Sequence, residues 1–518
     1  MADLPAPALH LPDAGAPRAH WQGGSVAMVT AGVMLATLIQ GLDMTISNVA
    51  LPYMAGTFAV SYDKATWVLT SYIIAAAIMT PPTGWLAAKF GRHRLFLAAI
   101  LGFIGASVLC GLCQSLPEAI GARVVQGIMG AALTPLSQAT LLDTYPRERH
   151  PQAMAIWGMG IMLGPILGPT LGGWLTDQWS WRWVYYINVP VGGMAALLVA
   201  AYVRDGVKRA APRFDGVGFL CLSLAIAGLQ IVLDRGETDD WFSSPVIVTA
   251  ALASGLGFYL FLVQSFLVKA PFVRPDLFAD KQFGVGLVLN AVVAVVLMGS
   301  MALFPPLLQG LLNFPVTTVG LLLAPRGIGT MAAMMLVGQI AGRVPGRVLM
   351  LGGMLLAALA MAEMSGFSLR IGPWEVFVCG LLQGFGLGFV FPVLVSASFS
   401  TLPEARRVEA AGIYNLVRNM GASIGISIMT ALVDRNTQIN HAILGGMLTP
   451  FTRQLSQPAL ALYAPNTARG LALLNEEVTR QAAMIGYIDD FRLMMGLTLL
   501  AAPLTLLIQG TPQTREQP

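Results

Sequence analysis

Residues Thr37 to Pro52 read TLIQGLDMTISNVALP and lie in the first long apolar run of the chain. Asp43 stands inside this run, behind a mostly apolar stretch of more than ten residues. A carboxylate at membrane depth costs about 2.5–3.5 kcal/mol on insertion scales, so it usually faces a polar cavity or a partner. The stretch therefore predicts a membrane helix with a protonation site, and a structural hydrogen bond to a neighbouring helix is the alternative.

The composition places the whole chain in the membrane. Of 518 residues, 56% are hydrophobic and only 11% are charged, and the mean hydropathy is +0.69. A soluble domain would carry about a quarter charged residues. These values predict an all-α integral membrane protein that spans the bilayer many times and binds no nucleic acid. All four cysteines lie in apolar runs without histidines beside them, which favours helix packing over a metal or redox site.

Fourteen apolar runs are long enough to cross a bilayer, for which about 20 residues are needed. They are residues 26–52, 65–88, 95–115, 118–142, 152–176, 183–203, 216–234, 246–268, 283–309, 316–341, 347–367, 374–400, 409–433 and 484–508. Residues 1–24 are rich in Ala and Pro and lack a signal-peptide pattern, which predicts a disordered cytoplasmic N-terminus. Residues 510–518 form a short tail.

The distribution of basic residues orients the helices. With the N-terminus inside, the inner loops and termini hold eighteen Lys and Arg residues, whereas the short outer loops hold four. Because cytoplasmic loops carry the excess of Lys and Arg, both termini are predicted to be cytoplasmic. Residues 434–483 then face outward, as a connection much longer than ordinary loops.

Arg123 is a candidate partner for Asp43. The predicted helix ends place the two residues roughly 8 and 12 Å below the outer surface, so they meet if their helices are neighbours. A guanidinium nearby favours the ionised carboxylate, whereas low-dielectric surroundings favour the neutral one. The pair therefore suits proton coupling, and a static salt bridge is the alternative.

Three pairs of similar short sequences indicate an internal repeat at an offset of eight spans. Two parallel halves of this kind are typical of rocker-switch transporters. GWLAAKFGRHR (Gly84–Arg94) matches GQIAGRVPGR (Gly338–Arg347), Gln126-Gly127 matches Gln383-Gly384, and Gly160 with Gly164 matches Gly421 with Gly425. Two six-helix halves, 25–203 and 283–509, flank a linker, 204–282, that holds two extra helices.

Five motifs resemble the major facilitator superfamily, in particular its fourteen-helix drug:proton antiporter branch of EmrB/QacA type. They are LDMTISNVALP (Leu42–Pro52), GWLAAKFGRHR, RVVQGIMGAAL (Arg123–Leu133), GMGIMLGPILGPTLGG (Gly158–Gly173) and WSWRWVYYINVPVG (Trp179–Gly192). The resemblance implies export of amphipathic drugs or toxic organic compounds across the bacterial inner membrane by alternating access. The proton gradient drives such export without a cofactor, and the fourth-helix Arg, here Arg123, is implicated in coupling. Gram-negative members work with a periplasmic adaptor, or membrane fusion protein, and an outer-membrane channel.

The loop signature between the second and third spans departs from the family at one position. Ala88 stands where the family has an Asp that completes an intracellular charge network. Its absence leaves Arg92 and Arg94 without their usual partner, and Asp143 is a candidate substitute. The candidate conformational residues of this region are Gly84, Gly91, Arg92, Arg94 and Asp143.

The fifth span carries a stripe of glycines at four-residue spacing. It comprises Gly160, Gly164, Gly168 and Gly172, with Pro165 and Pro169 between them. Small residues let helix backbones approach closely, and proline removes backbone hydrogen bonds. We expect an interhelical hinge and seal against a helix of the C-terminal half, and ordinary helix packing is the alternative.

Polar residues within the spans are candidates for the substrate cavity. They are Asn48, Gln126, Asn290, Arg326, Gln383, Asn415 and Arg418. Arg326 and Arg418 would give the cavity a positive wall, unless they only brace the C-terminal helices. An intramembrane enzyme is disfavoured because no metal-ligand spacing or phosphate loop occurs in the sequence. An exporter of one metabolite or siderophore-like compound remains the alternative function.

The long outward stretch contains a helix-favouring segment, Thr467–Ile488, that could extend the last span beyond the membrane. It suits two roles: a docking surface for the adaptor, or a lid over the transport path.

Overall fold

The computed structural model describes residues 23–203, 214–268, 271, 273–340, 343–403, 406–448 and 467–508. These residues form an all-helical structure without strands. The predictions for residues 1–22, for the basic segment 204–213, and for 510–518 concern parts of the chain outside the described residues. The middle of the outward stretch, residues 449–466, lies outside them as well.

Sixteen helices of eight or more residues form the bundle in the described part of the chain. They are α1 (Gly23–Thr57), α2 (Trp67–Met79), α3 (Thr83–Phe90), α4 (Arg92–Leu112), α5 (Leu116–Gly130), α6 (Leu133–Thr144), α7 (His150–Gln178), α8 (Asn188–Tyr202), α9 (Gly216–Arg235), α10 (Pro245–Leu267), α11 (Lys281–Pro305), α12 (Val316–Ile340), α13 (Gly346–Met364), α14 (Pro373–Ser398), α15 (Arg407–Met447) and α16 (Ala468–Ala501).

The described helices include twelve that are long and apolar enough to cross a membrane. Helix α7 adds a thirteenth when its two parts, which meet at 41°, count as one span. The second predicted span is divided between α2 and α3, because Pro81 and Pro82 follow Met79 and proline cannot supply a backbone N–H. The count of fourteen membrane crossings therefore stays a prediction.

The two halves repeat the same pattern of neighbouring helices. In the N-terminal half α1 packs against α7, and both α2 and α4 pack against α5. In the C-terminal half α11 packs against α15, and both α12 and α13 pack against α14. The extra helices α9 and α10 pack against each other, and α9 also contacts α2 and α15.

Hydrophobic packing joins the halves at one end of the bundle. A single buried cluster contains Val29 and Leu142 of the N-terminal half together with Phe283, Phe399 and Tyr414 of the C-terminal half. These residues lie near the ends of helices that are predicted to be cytoplasmic. A second buried cluster, around Phe304 and Phe491, belongs to the C-terminal half alone.

The last two long helices extend beyond the predicted membrane. Helix α15 has 41 residues, or about 60 Å at 1.5 Å per residue, against a hydrocarbon core of about 30 Å. Helix α16 begins at Ala468, so the predicted helical extension of the last span is present in the structure. The outer parts of the two helices are joined by a hydrogen bond at 3.0 Å between His441 Nε2 and Asn475 Oδ1.

Candidate functional site

A buried ion pair between Asp43 and Arg123 forms the centre of the candidate site. Arg123 Nη1 donates to Asp43 Oδ2 at 2.5 Å, and the two side chains are 1% and 0% exposed for Arg123 and Asp43. The sequence predicted this meeting from the depths of the two charges in α1 and α5. Removing one partner of a buried pair costs about 3–5 kcal/mol, so the charge of Asp43 can control the packing around it.

Two amides bind the other carboxylate oxygen of Asp43. Gln126 Nε2 donates to Asp43 Oδ1 at 2.9 Å, and Asn188 Nδ2 donates to the same oxygen at 3.0 Å. The amide of Asn188 also lies 2.9 Å from Ser107 Oγ, whose hydroxyl donates to the carbonyl of Tyr185 at 2.9 Å. Helices α1, α4, α5 and α8 together form a polar site that matches an ionised carboxylate.

The aromatic surroundings fix the Arg123 side chain. Arg123 Nε donates to the carbonyl of Val68 at 3.1 Å, and the guanidinium lies 4.3 Å from the centre of the Tyr72 ring. A guanidinium over an aromatic face is attracted by the ring quadrupole. Gly127 permits this arrangement, because a Cβ atom there would lie 2.6 Å from the carbonyl oxygen of Tyr72.

Asn188 and Ser107 were not among the site residues predicted from the sequence. A signal for Asn188 was present, since it lies five residues after the predicted outer start of its span at 183. Arg123 lies five residues after the predicted outer start of its own span at 118. Asn188 therefore lies at the same predicted depth as Arg123, which places it within reach of Asp43.

A second polar cluster joins the two halves at the predicted cytoplasmic end. The carboxylate of Asp143 pairs with Arg92 and, at 2.7 Å, with Arg407 Nη1 of α15. The structure thus places Asp143 where the sequence suggested a substitute partner for Arg92. Arg94 is exposed, and no ion pair of Arg94 occurs among the described residues.

Close backbone contacts accompany this charge cluster. A Cβ atom at Gly84 would lie 2.7 Å from Glu409 Cα of α15, so any larger residue would separate α3 from α15. Gly91 joins α3 to α4 with φ 88°, a conformation that glycine adopts without strain. Gly84 thus permits a close approach of α3 to α15, and Gly91 permits a tight turn between α3 and α4.

Side-chain contacts extend the closure deeper into the bundle. Asn415 Nδ2 donates to Gln138 Oε1 of α6 at 2.7 Å, and the ring of Trp157 stacks on Phe391 with centroids 5.9 Å apart. Asn415, predicted to line the cavity, thus belongs to a contact between the halves in this conformation. The charged, amide and aromatic contacts together close the predicted cytoplasmic side.

The glycine stripe of α7 packs against α1, so the expectation that it faces a helix of the C-terminal half is wrong. Added Cβ atoms would lie 3.2 Å from Met34 at Gly160, 2.6 Å from the carbonyl carbon of Gly41 at Gly164, and 2.8 Å from Ile46 at Gly172. At Gly168 the nearest side chain is Thr45, also of α1. The sequence showed that the stripe permits a close approach, but a small-residue pattern does not identify the partner helix. The side chains of Pro165 and Pro169 lie outside the described part of the structure.

The remaining cavity candidates occupy three different settings. Arg326 and Gln383 are buried and meet at Ser300 of α11, where Arg326 Nη2 and Gln383 Nε2 lie 2.6 and 3.0 Å from the hydroxyl oxygen. Asn290 Nδ2 donates to the carbonyl of Tyr414 at 2.8 Å and thereby joins α11 to α15. Arg418 is half-buried on α15, and Asn48 is exposed on α1. No cluster of metal-binding residues occurs in the described part of the chain.

Comparison with known proteins identifies related sequences along nearly the whole chain. A family model described as the Major Facilitator Superfamily matches residues 33–425. The multidrug export protein EmrB of Escherichia coli K12 is 33% identical over 491 residues, which cover 92% of this chain and 94% of that protein. The fatty acid resistance protein FarB of Neisseria gonorrhoeae is 32% identical over 474 residues, covering 91% and 93% of the two chains.

Solved structures with low sequence identity share the fold. The proton:xylose symporter XylE aligns with a TM-score of 0.60 at 14% identity, covering 95% of this chain and 97% of that chain. The human organic anion transporter MFSD10 aligns with a TM-score of 0.56 at 16% identity, covering 91% and 99%. These two likenesses concern the helical architecture alone.

Proposed function

Because the chain belongs to the major facilitator superfamily, a family of membrane transporters and not of enzymes, we propose that it is a proton-coupled antiporter that exports amphipathic drugs. The names of the relatives EmrB and FarB support export of amphipathic compounds. The observation that carries the coupling part is the buried network of Asp43, Arg123, Gln126 and Asn188.

Asp43 carries the proton in this proposal, and Arg123 couples the protonation of Asp43 to the packing of the helices. When Asp43 takes up a proton, the guanidinium of Arg123 loses its counter-charge in a desolvated site. An uncompensated buried charge is unstable, so the helices that hold the two residues shift towards a different packing. Helix α1 would transmit that shift, because its glycine-lined contact with α7 leaves little space for independent movement.

Alternating access supplies the transport step. The contacts of Asp143, Asn415 and Trp157 close the predicted cytoplasmic side, which corresponds to an outward-facing state. Release of substrate and uptake of a proton would occur in this state, and breakage of these contacts would open the path inward. We place the protein in the bacterial inner membrane with both termini cytoplasmic.

Substitution of Asp43 tests the coupling. In cells that express the protein, accumulation of several unrelated lipophilic compounds is measured with and without a protonophore. The wild type should lower accumulation only when the gradient is intact, and Asp43→Asn should abolish this effect while membrane insertion is unchanged. The control Asp489→Asn removes a carboxylate that pairs with Arg492 at the surface and should export normally. Normal export by Asp43→Asn would refute the proposal, and export of a single compound from the panel would favour a metabolite exporter.

The outward extension of α15 and α16 supports a second part of the proposal. These two helices project beyond the predicted membrane surface, where a periplasmic adaptor that leads to an outer-membrane channel could bind. The alternative is that the two helices form a lid over the transport path, a role that needs no partner. A pull-down with a chain lacking residues 440–475 separates the two roles, because unchanged adaptor recovery would contradict docking.

A further inference from the structure

The C-terminal half contains a modified copy of the Asp43 site. Ser300, Gly380 and Gln383 follow Asp43, Arg123 and Gln126 at one constant spacing along the chain. The geometry repeats as well: Gln383 Nε2 donates to Ser300 Oγ at 3.0 Å, as Gln126 Nε2 donates to Asp43 Oδ1 at 2.9 Å. A hydroxyl thus stands in place of the carboxylate.

The guanidinium of this second site comes from a different helix. In the N-terminal half Gly127 of α5 packs against the backbone of Tyr72 in α2, and in the C-terminal half Gly384 of α14 packs against the backbone of Arg326 in α12. Arg326 therefore occupies the place of the aromatic residue. It donates to Ser300 Oγ at 2.6 Å and to the carbonyl of Leu297 at 3.0 Å.

Arg326 has a charge without a counter-charge. No carboxylate forms an ion pair with it in the described part of the chain, and its Nε and Nη1 atoms have no hydrogen-bond partner there. The residue is only 7% exposed and lies ten residues below the outer end of α12, about 15 Å deep, near the middle of the membrane. Buried charges in proteins are normally paired, so this guanidinium is a candidate site for an anion.

Gly380 leaves space beside Arg326. A Cβ atom there would have only ordinary contacts, 3.8 Å from the carbonyl oxygen of Leu322 and 3.9 Å from Arg326 Cβ. In the N-terminal half the same position holds the whole Arg123 side chain. Arg326 thus neighbours a position where the repeat has lost a large side chain.

We propose that Arg326, with Ser300 and Gln383, binds the acidic group of an amphipathic organic acid during transport. The inference rests on the proposed export function and names a substrate class for it. The Nε–H and Nη1–H groups point to different sides of the guanidinium, so the carboxylate would accept a hydrogen bond from one of them. Its apolar chain would extend into the space between the halves. The N-terminal site then handles the proton and the C-terminal site the acidic substrate.

Equilibrium binding to the purified protein in nanodiscs tests the site without a proton gradient. The probes are dodecanoate, its methyl ester and dodecyltrimethylammonium, which share one chain length and differ in charge. The wild type should bind dodecanoate at least tenfold more tightly than the ester. Arg326→Gln should weaken dodecanoate binding roughly ten- to a hundredfold and leave ester binding unchanged, since a charge-assisted hydrogen bond is lost.

Two further variants keep the test valid if Arg326→Gln does not fold. Ser300→Asp places a carboxylate at the position that matches Asp43. This carboxylate would pair with Arg326, so the variant should lose the preference for dodecanoate. Arg326→Lys keeps the charge and should retain most of the preference. The control Arg370→Gln removes an exposed arginine of an outer loop and should bind as the wild type does.

Three results would overturn the inference. The first is equal binding of dodecanoate and its ester by the wild type. The second is unchanged dodecanoate binding by both Arg326→Gln and Ser300→Asp. The third is displacement of dodecanoate by an equal concentration of chloride, which would indicate a site for inorganic anions. Gradient-driven export of uncharged or cationic drugs by the same protein in sealed vesicles would leave the antiport proposal standing. The two proposals therefore fail separately.

Discussion

At the residue scale, substitution of Asn188 is the most direct test of the hydrogen-bond network around Asp43. Its amide donates to Asp43 Oδ1 at 3.0 Å in a buried site. Asn188→Leu should therefore weaken the network that holds the Asp43 side chain. A hydrogen bond to a charged group contributes roughly 1.5–3 kcal/mol, so the rate of gradient-driven export should fall by about ten- to a hundredfold.

The initial rate of gradient-driven export in vesicles measures this loss. The control Asn440→Leu removes an amide that donates to the carbonyl of Asn436 in its own helix, and it should export as the wild type does. Unchanged export by Asn188→Leu would show that this hydrogen bond does not support the Asp43 site.

The sequence predicted the charged residues of the site better than its neutral ones. Asp43 and Arg123 were found because charges in apolar runs are costly and rare. Ser107, Asn188 and Ser300 were not found, because single neutral polar residues are common in membrane helices and do not indicate their partners. Partners depend on which helices are neighbours, and only the packed structure supplies that.

At the element scale, the contact between α1 and α7 links the Asp43 helix to the rest of the bundle. Gly164→Ala would place a Cβ atom 2.6 Å from the carbonyl carbon of Gly41 and force the two backbones apart. Overpacking of this kind costs about 1–3 kcal/mol. We expect a lower thermal unfolding temperature and loss of gradient-driven export.

Gly173→Ala is the matched control on the same helix, because a Cβ atom there meets nothing within 4 Å. Thermal unfolding in nanodiscs and accumulation in cells should show no change for this variant. Equal effects of the two substitutions would mean that helix propensity, and not the approach of α1, determines the result.

The loop after α9 should connect that helix to α15 in a pH-dependent way. A hydrogen bond to Asp434 and partial burial raise the pKa of Glu237 to about 7. An acid whose pKa is raised in the folded state contributes most to stability at low pH and loses that contribution as the pH rises through the folded value. The contact should therefore be intact at pH 6 and weakened at pH 8.

Hydrogen exchange of residues 232–245 at the two pH values measures this change against the variant Glu237→Gln. The wild type should exchange faster than the variant at pH 8, and the two should differ little at pH 6. Identical exchange at both values would show that the carboxyl pair does not hold the loop.

Helix boundaries illustrate what hydropathy predicts and what it cannot. The apolar runs located the long helices within a few residues, because burial in lipid requires a minimum apolar length. The division of the second span at Pro81 and Pro82, and the outward length of α15, escaped that reasoning. Both depend on local backbone chemistry and on contacts outside the lipid, to which hydropathy is insensitive.

At the scale of the whole molecule, the two-half repeat predicted from three pairs of similar short sequences corresponds to two sets of helices with the same neighbours. The repeat does not preserve the residues of the site, since one half holds Asp43 and the other holds Ser300 at the matching position. The contacts between the halves were not predictable, because they depend on the conformation and not on the repeat. Asn415, predicted to line the cavity, shows this, since its amide donates to Gln138 Oε1 in the closed end that is predicted to be cytoplasmic.

Movement of the halves against each other can be tested by a cross-link between them. Trp157 and Phe391 stack across the halves with centroids 5.9 Å apart, so cysteines at both positions, in a chain without its native cysteines, should react with a short bifunctional thiol reagent. Because transport requires this side to open, the linked protein should lose export and regain it when a cleavable linker is reduced. Phe304 and Phe491 lie at a similar distance, 6.0 Å, but within the C-terminal half, so a link between them should leave export intact. Export by the protein linked at positions 157 and 391 would contradict the alternating-access proposal, because the substrate would then cross without separation of the halves.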